Sequence, residues 1–178
     1  KGFAEQNPSA DVDGIDAQRK LSILSSIALG GLYVSPDCIV TEGISKISLD
    51  DIEFADKIDC SVKLLANFSH PIGETPSVFV APFFVSNKEL VASVDSANNI
   101  ILVEGNALGV SMFYGQGAGK LPTASAVVGD VLDACLHAHR NPHIAKWYEP
   151  EDKASVVLPY EKIATNIIVK SAPSNCNS

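Results

Sequence analysis

Two rhythms of apolar and polar positions run along the chain. From Gly14 to Gly30 the spacing is helical, and it predicts a helix over residues 15–29. Asp13, with Asp16 three residues on, resembles a capping pair, and Gly30-Gly31 supplies the stop. A shorter helix is predicted over 48–57, where Ser48 is placed to cap and Asp50 and Asp51 load the first turn with acid. Short β-branched runs between turn residues predict strands over 40–47, 61–68, 78–85, 99–104 and 110–114. Turns are signalled at 69–73, 86–88 and 104–106. A last helix is predicted over 122–139, with Pro122 in its first turn and a broad apolar face through Val127, Val131 and Leu132. Beyond His139 the texture turns polar through residue 153, and one further strand is predicted over 163–170. About five strands with helices at both ends make an α+β pattern: a mixed sheet packed against helices.

Composition narrows the class. The 178 residues are 46% hydrophobic and 19% charged, which suits a folded core and not a disordered chain. No apolar run reaches the ~18–20 residues of a membrane span. With 13 basic and 21 acidic residues the net charge is −8, which argues against a nucleic-acid partner. Cys38, Cys60, Cys135 and Cys176 are scattered without a C-x-x-C, so neither a zinc knuckle nor a redox pair is signalled, and a reducing, cytoplasmic compartment is expected. The chain begins at Lys1 without a basic-then-apolar leader and ends in a polar tail, as a piece of something longer would.

Three constellations could carry chemistry. Asp16 and Lys20 are four apart on the first helix, on a stripe that continues through Ile23 and Ile27. Charges that extend an apolar stripe are expected to face the interior or a cleft, with Glu5 and Asp11 arriving from the preceding loop. The same spacing also describes a solvent-exposed ion pair, the commoner case. The second constellation is Gly115-Gln-Gly117-Ala-Gly119-Lys120, leading into a helix N-terminus, where a bare backbone can approach a ligand closely. It is not a phosphate-binding P-loop, because Tyr114 and Leu121 stand where that motif needs Gly and Ser or Thr. A tight strand-to-helix turn explains it equally well. The third is His137, His139 and His143 with Cys135. A spacing of two sends His137 and His139 to different sides of a helix, so no metal site is expected. Trp147, Phe83 and Phe84 read as packing residues.

At these residues the sequence resembles homoserine dehydrogenase. The resemblance runs from Gly2 to about Ala134. It is densest in Ala10-Asp-Val-Asp-Gly-Ile-Asp-Ala-Gln-Arg-Lys20, Val62-Lys-Leu-Leu-Ala66, Leu102-Val-Glu-Gly105 and Met112-Phe-Tyr-Gly-Gln-Gly-Ala-Gly-Lys-Leu-Pro-Thr-Ala-Ser-Ala-Val127. The resemblance implies NAD- or NADP-dependent interconversion of L-homoserine and L-aspartate 4-semialdehyde, in threonine and methionine biosynthesis. It implies a small-molecule substrate, with no nucleic acid or membrane partner, as charge and run length already indicate; strands such as 78–85 are apolar on both faces, so a homodimer burying one of them is expected. The resemblance also implies an N-terminal Rossmann domain, a middle substrate and dimerisation region, and often a C-terminal ACT domain.

This chain resembles the middle region alone, since no G-x-G-x-x-G precedes Lys1. Residues 1–139 would be the substrate-binding, catalytic and dimerisation domain, with 115–139 returning toward the nucleotide-binding domain and 140–178 a linker and tail. Carried over by motif, Lys20 would donate and accept the proton and Asp16 would hold substrate and tune Lys20. Glu5 would grip the substrate ammonium, Asp11 would support it, and Gly117, Ala118 and Gly119 would approach the nicotinamide. Phe3 departs from the Tyr of some members. A free lysine titrates near 10.4, far from working pH, so burial or a second cation would have to prepare it as an acid–base group. A non-catalytic, dimerising, substrate-binding fragment is the alternative of a different class. A different dehydrogenase with a related substrate domain would not share both dense motifs.

Overall fold

The structure, a computed structural model, describes residues 9–137 and 146–163. Residues expected to form a polar loop before the first long helix include one helical turn, α1 (Ser9–Val12), closed by Asp13 N–H donating to the Ser9 carbonyl at 2.8 Å. The helix α2 (Ile15–Ala28) follows. Its expected Asp13–Asp16 cap does not form. Gly14 occupies the N-cap at φ +76°, without a side-chain cap. A Cβ there would sit 3.1 Å from the Thr41 methyl, so the close approach of 40–41 selects the glycine. The other end matches expectation: Gly31 and Gly30 donate to the carbonyls of Ser26 and Ile27 at 2.9 and 3.0 Å, a Schellman closure with both glycines at positive φ.

The strand β1 is only Val40–Thr41, far shorter than the predicted 40–47. It pairs in parallel with β3, but Ile44 N–H then turns away to the Val12 carbonyl at 2.8 Å. Gly43 packs so tightly on the Val12–Asp13 backbone that no side chain fits, and this contact pulls the chain off the sheet. The helix α3 (Leu49–Lys57) opens on a complete capping box between Ser48 and Asp51. The strands β2 (Cys60–Ser69) and β3 (Ser77–Ser86) form an antiparallel pair running Cys60↔Ser86 to Ser69↔Ser77, and the sheet order is β1-β3-β2. The strands β4 (Asn98–Gly105) and β5 (Gly109–Gln116) make a separate antiparallel hairpin, and α4 (Lys120–His137) follows. The fold is α+β, and its five strands divide into a small mixed sheet and this hairpin.

The core gathers Leu21, Val34, Ile39, Val78 and Val80 with Val156 and Val157. The last two come from a segment expected to be linker and tail. That segment is docked at several points. Tyr148 exchanges backbone hydrogen bonds with Gly31 and Tyr33 at 2.8 and 2.9 Å, and Leu158 N–H reaches the Pro76 carbonyl at 2.8 Å. Trp147 meets Tyr33 edge to face with centroids 6.4 Å apart, and Phe84 meets Phe54 similarly at 5.8 Å, so both aromatics pack as the sequence predicts. Full burial of one valine contributes ~1.5–3 kcal/mol, so two valines anchor the segment firmly. The strand predicted over 163–170 lies, beyond its first residue, outside the described residues.

Candidate functional site

Helix α2 carries the candidate acid–base pair. Lys20 Nζ lies 2.6 Å from Asp16 Oδ2, the i,i+4 contact that the spacing predicts. Its orientation does not follow the sequence expectation. The side chains of Lys20 and Asp16 are 60% and 48% exposed, and Ile23 and Ile27 on the same stripe are also exposed. The interior is met instead by Leu21, Ser22, Ser25 and Ser26. Their hydroxyls explain how a serine-rich face can be the buried one. Ser22 Oγ donates to the Val34 carbonyl at 2.6 Å, and Ser26 Oγ accepts from Val34 N–H at 2.9 Å while donating to the Ser22 carbonyl at 2.6 Å. Ser25 Oγ returns to the Leu21 carbonyl at 2.7 Å. Among the described residues every buried hydroxyl is satisfied, and the small side chains admit the 32–35 backbone.

Asp11 sits exposed on α1, immediately before the Gly14 turn. Glu5 and Phe3 lie outside the described residues. A cavity of about 480 Å³ opens at the start of α2, lined by Asp13, Ile15, Thr41, Glu42, Gly43, Ser45 and Lys46. It is large enough for an amino acid. Glu42 and Lys46, a loose ion pair at 3.9 Å, were not singled out by motif; only the chain's turn at Gly43 brings them beside α2.

The glycine loop 115–119 lies at the far end of β5. No hydrogen bond or ion pair among the described residues joins it to Asp16 or Lys20. Gly117 N–H donates to the Ala97 carbonyl at 2.9 Å, Gly119 takes φ +127°, and the Gly119 carbonyl accepts from Thr123 N–H at 3.0 Å in the first turn of α4. The Asn99 side chain fills the space where a Cβ of Gly117 would lie. Lys63 Nζ, on β2, donates to the Val94 carbonyl at 2.8 Å and lies 3.5 Å from Asp95, tying the entry of the hairpin to the sheet.

His137 Nδ1 lies 2.9 Å from Asp133, while His139 and His143 are outside the described residues. Among the described residues no group of three or more His, Cys, Asp or Glu is placed to hold a metal. Cys38, Cys60 and Cys135 are free thiols; burial, then the neighbouring Asp37 carboxylate, pushes the Cys38 thiol above its ordinary value. No helix among the described residues is long and apolar enough to cross a membrane.

Comparison with known proteins agrees across the chain. The family model for homoserine dehydrogenase matches residues 1–132. The homoserine dehydrogenase of Neisseria gonorrhoeae is 35% identical over 175 residues, covering 95% of this chain and 39% of that enzyme. That of Synechocystis is 44% identical over 135 residues, covering 74% of this chain and 31% of its own length. Among solved structures, the homoserine dehydrogenase of Thiobacillus denitrificans superposes with a TM-score of 0.76 at 36% identity, over 90% of this chain and 38% of that one. A hyperthermophilic archaeal homoserine dehydrogenase mutant solved in complex with NADPH superposes with a TM-score of 0.58 at 29% identity, over 75% of this chain and 36% of its own. The chain thus spans between 31% and 39% of the length of these relatives.

Proposed function

This chain belongs to the homoserine dehydrogenase family, a family of oxidoreductases, and from that premise we propose that it supplies the substrate-binding, catalytic and dimerisation region of an enzyme interconverting L-homoserine and L-aspartate 4-semialdehyde. The observation that carries the reading is the Asp16–Lys20 pair, held at 2.6 Å on a helix inside the family-matched span. Lys20 Nζ gives a proton to the carbonyl oxygen as the aldehyde becomes an alcohol, and takes it back in the reverse direction. Asp16 fixes the ammonium of Lys20 and contributes to holding the substrate, and Asp11 supports the substrate from α1. Glu5 grips the substrate ammonium.

The residues of the 115–119 loop fit an NAD or NADP cofactor. Gly117 and Gly119 carry no side chains of their own, and the loop runs into the N-terminal turn of α4, where free N–H groups favour an anionic or polar group. When bound, the nicotinamide supplies or accepts the hydride. Gly117, Ala118 and Gly119 approach it, and 115–139 leads back toward the nucleotide-binding domain of the whole enzyme. The compartment is cytoplasmic, in keeping with three unpaired cysteines among the described residues, and the pathway is threonine and methionine biosynthesis. The assembly is a homodimer, supported by the exposed apolar hairpin, where Phe113 is 64% accessible.

One observation favours a second reading for this polypeptide on its own. The Asp16–Lys20 face stands open to solvent, so the chain alone is a binding and dimerisation fragment that turns over only when joined to a nucleotide-binding domain. Mixing L-homoserine with NAD or NADP and following the reduced cofactor tests both readings. Turnover is expected from the complete enzyme and not from the 178 residues. A complete enzyme that leaves homoserine unchanged overturns the functional reading.

A further inference from the structure

We propose that Asn99 is a positioning residue of the reaction, its carboxamide lodged against Gly117 to set the height of the 115–119 loop at the cofactor. The inference rests on the reading that this loop faces the nicotinamide.

Gly117 is not a glycine for conformational reasons: it is absent from the positive-φ residues, so its backbone suits any side chain. The reason is steric. A Cβ built on Gly117 would collide with the carboxamide of Asn99, 2.5 Å from its Cγ. Gly115, two residues earlier and directly opposite Asn99 in the β4–β5 register, has nothing within 4 Å of a built Cβ. Asn99 therefore leans along the ladder and occupies the notch at Gly117. The backbone on either side is pinned. Gly117 N–H holds the Ala97 carbonyl at 2.9 Å, two residues before Asn99, and Gly119 turns directly into α4. The loop thus rests on Asn99 at Gly117, one of its three glycines. Asn99 is itself exposed, so its carboxamide fills the space at Gly117 and presents polar atoms beside the loop. The consequence is a coupled pair. Removing the carboxamide lets the loop settle, adding a methyl at 117 expels the carboxamide, and doing both restores a filled notch.

The test uses the complete enzyme carrying Asn99→Ala, Gly117→Ala, both together, and, as a control, Gly105→Ala at the other end of the hairpin, where a built Cβ meets nothing within 4 Å. The readouts are the dissociation constant of the reduced cofactor by fluorescence titration, the KM values for cofactor and homoserine, and the thermal midpoint. Each single change at 99 or 117 is expected to weaken cofactor binding about tenfold and leave the homoserine KM within about twofold, as for residues in direct contact. The double variant is expected to lose less than the product of the two, and Gly105→Ala to bind as the unsubstituted enzyme does. Asn99→Ala with unchanged cofactor affinity, or two losses that simply multiply, overturns the proposal. If Asn99→Ala does not fold, Gly117→Ala decides alone, and unchanged affinity there is equally fatal. Failure of the functional reading is seen separately, as an unsubstituted enzyme without homoserine-dependent turnover.

Discussion

Two regions of similar apolar content behave in opposite ways. Helix α2, the β1-β3-β2 sheet and the 146–163 segment close on one another, leaving Val34, Val78 and Val80 about 1% exposed. The β4–β5 hairpin and α4 find no core among the described residues: Val110, Met112, Phe113, Val128, Val131 and Leu132 all remain exposed, and α4 buries no residue. The first region is a finished core. The second has the surface of a core awaiting a partner, since exposed apolar area of this extent marks an interaction face. A long apolar run in a sequence therefore says that something will cover it, without saying whether the cover comes from the same chain.

The largest effect is expected where the closed region presents its outer face. Lys20→Ala in the complete enzyme is expected to lower turnover by about 10²–10⁴-fold, the usual share of a general acid–base group. Its thermal midpoint should stay unchanged, because the side chain lies outside the core. A variant that turns over normally removes Lys20 from the chemistry; one that melts early erases the distinction between the site face and the core.

The next prediction sets the two regions directly against each other. Val157→Ala should cost ~2 kcal/mol in chemical denaturation, from lost transfer energy and the cavity left behind. Val128→Ala on α4 should fall within about 0.5 kcal/mol in a dissociated chain. Equal costs would mean that α4 packs as tightly as the core. Phe113→Glu sharpens the same point through assembly. Light scattering should show a shift from dimer to monomer at micromolar concentration, while the monomer's denaturation midpoint barely moves.

The smallest effect concerns Cys38, whose Sγ lies 3.3 Å from the Lys153 carbonyl, where the docked segment meets the core. Burial, with the Asp37 charge, raises its pKa in the folded state. The unfolded chain therefore loses this proton first, and stability from this group falls slightly as pH rises past the ordinary thiol range. At pH 8 alkylation of Cys38 should be slower than that of a thiol in an unstructured peptide, measured by mass spectrometry. An equal rate would mean that 146–163 opens readily and that the closed region is less closed than its packing implies.

Much of the local structure was readable from residues alone. The Ser48–Asp51 box and the Gly30-Gly31 stop placed two helix ends within a residue, because caps act over three or four positions. The hairpin strands were likewise placed within two residues. What failed locally did so beyond the reach of the motif: β1 ended early where Gly43 packs on Val12 and Asp13, and the N-cap of α2 is Gly14 at φ +76°, beside the Thr41 methyl. At the candidate site, the Asp16–Lys20 contact follows from helical spacing, while Asn99 carried no motif signal; only the lack of a positive φ at Gly117 hints that its glycine answers to a neighbour.

The sequence by itself determined the α+β class, the order of the main helices and strands through α4, and the family, and it named candidates for the chemistry. These rest on short-range periodicity, capping and motif spacing, all of which lie within a few residues of one another. Only the tertiary structure decided which face of α2 points inward, how five strands divide between a sheet and a hairpin, and that residues 156–157 complete the core. Each of those outcomes is set by pairs far apart in the chain, such as Ser22 with Val34, Leu158 with Pro76 and Val80 with Glu42. Periodicity shows that α2 has an apolar stripe; hydrogen bonding lets a serine stripe be buried in its place, because a satisfied hydroxyl can be buried and a small side chain lets the neighbouring backbone come close.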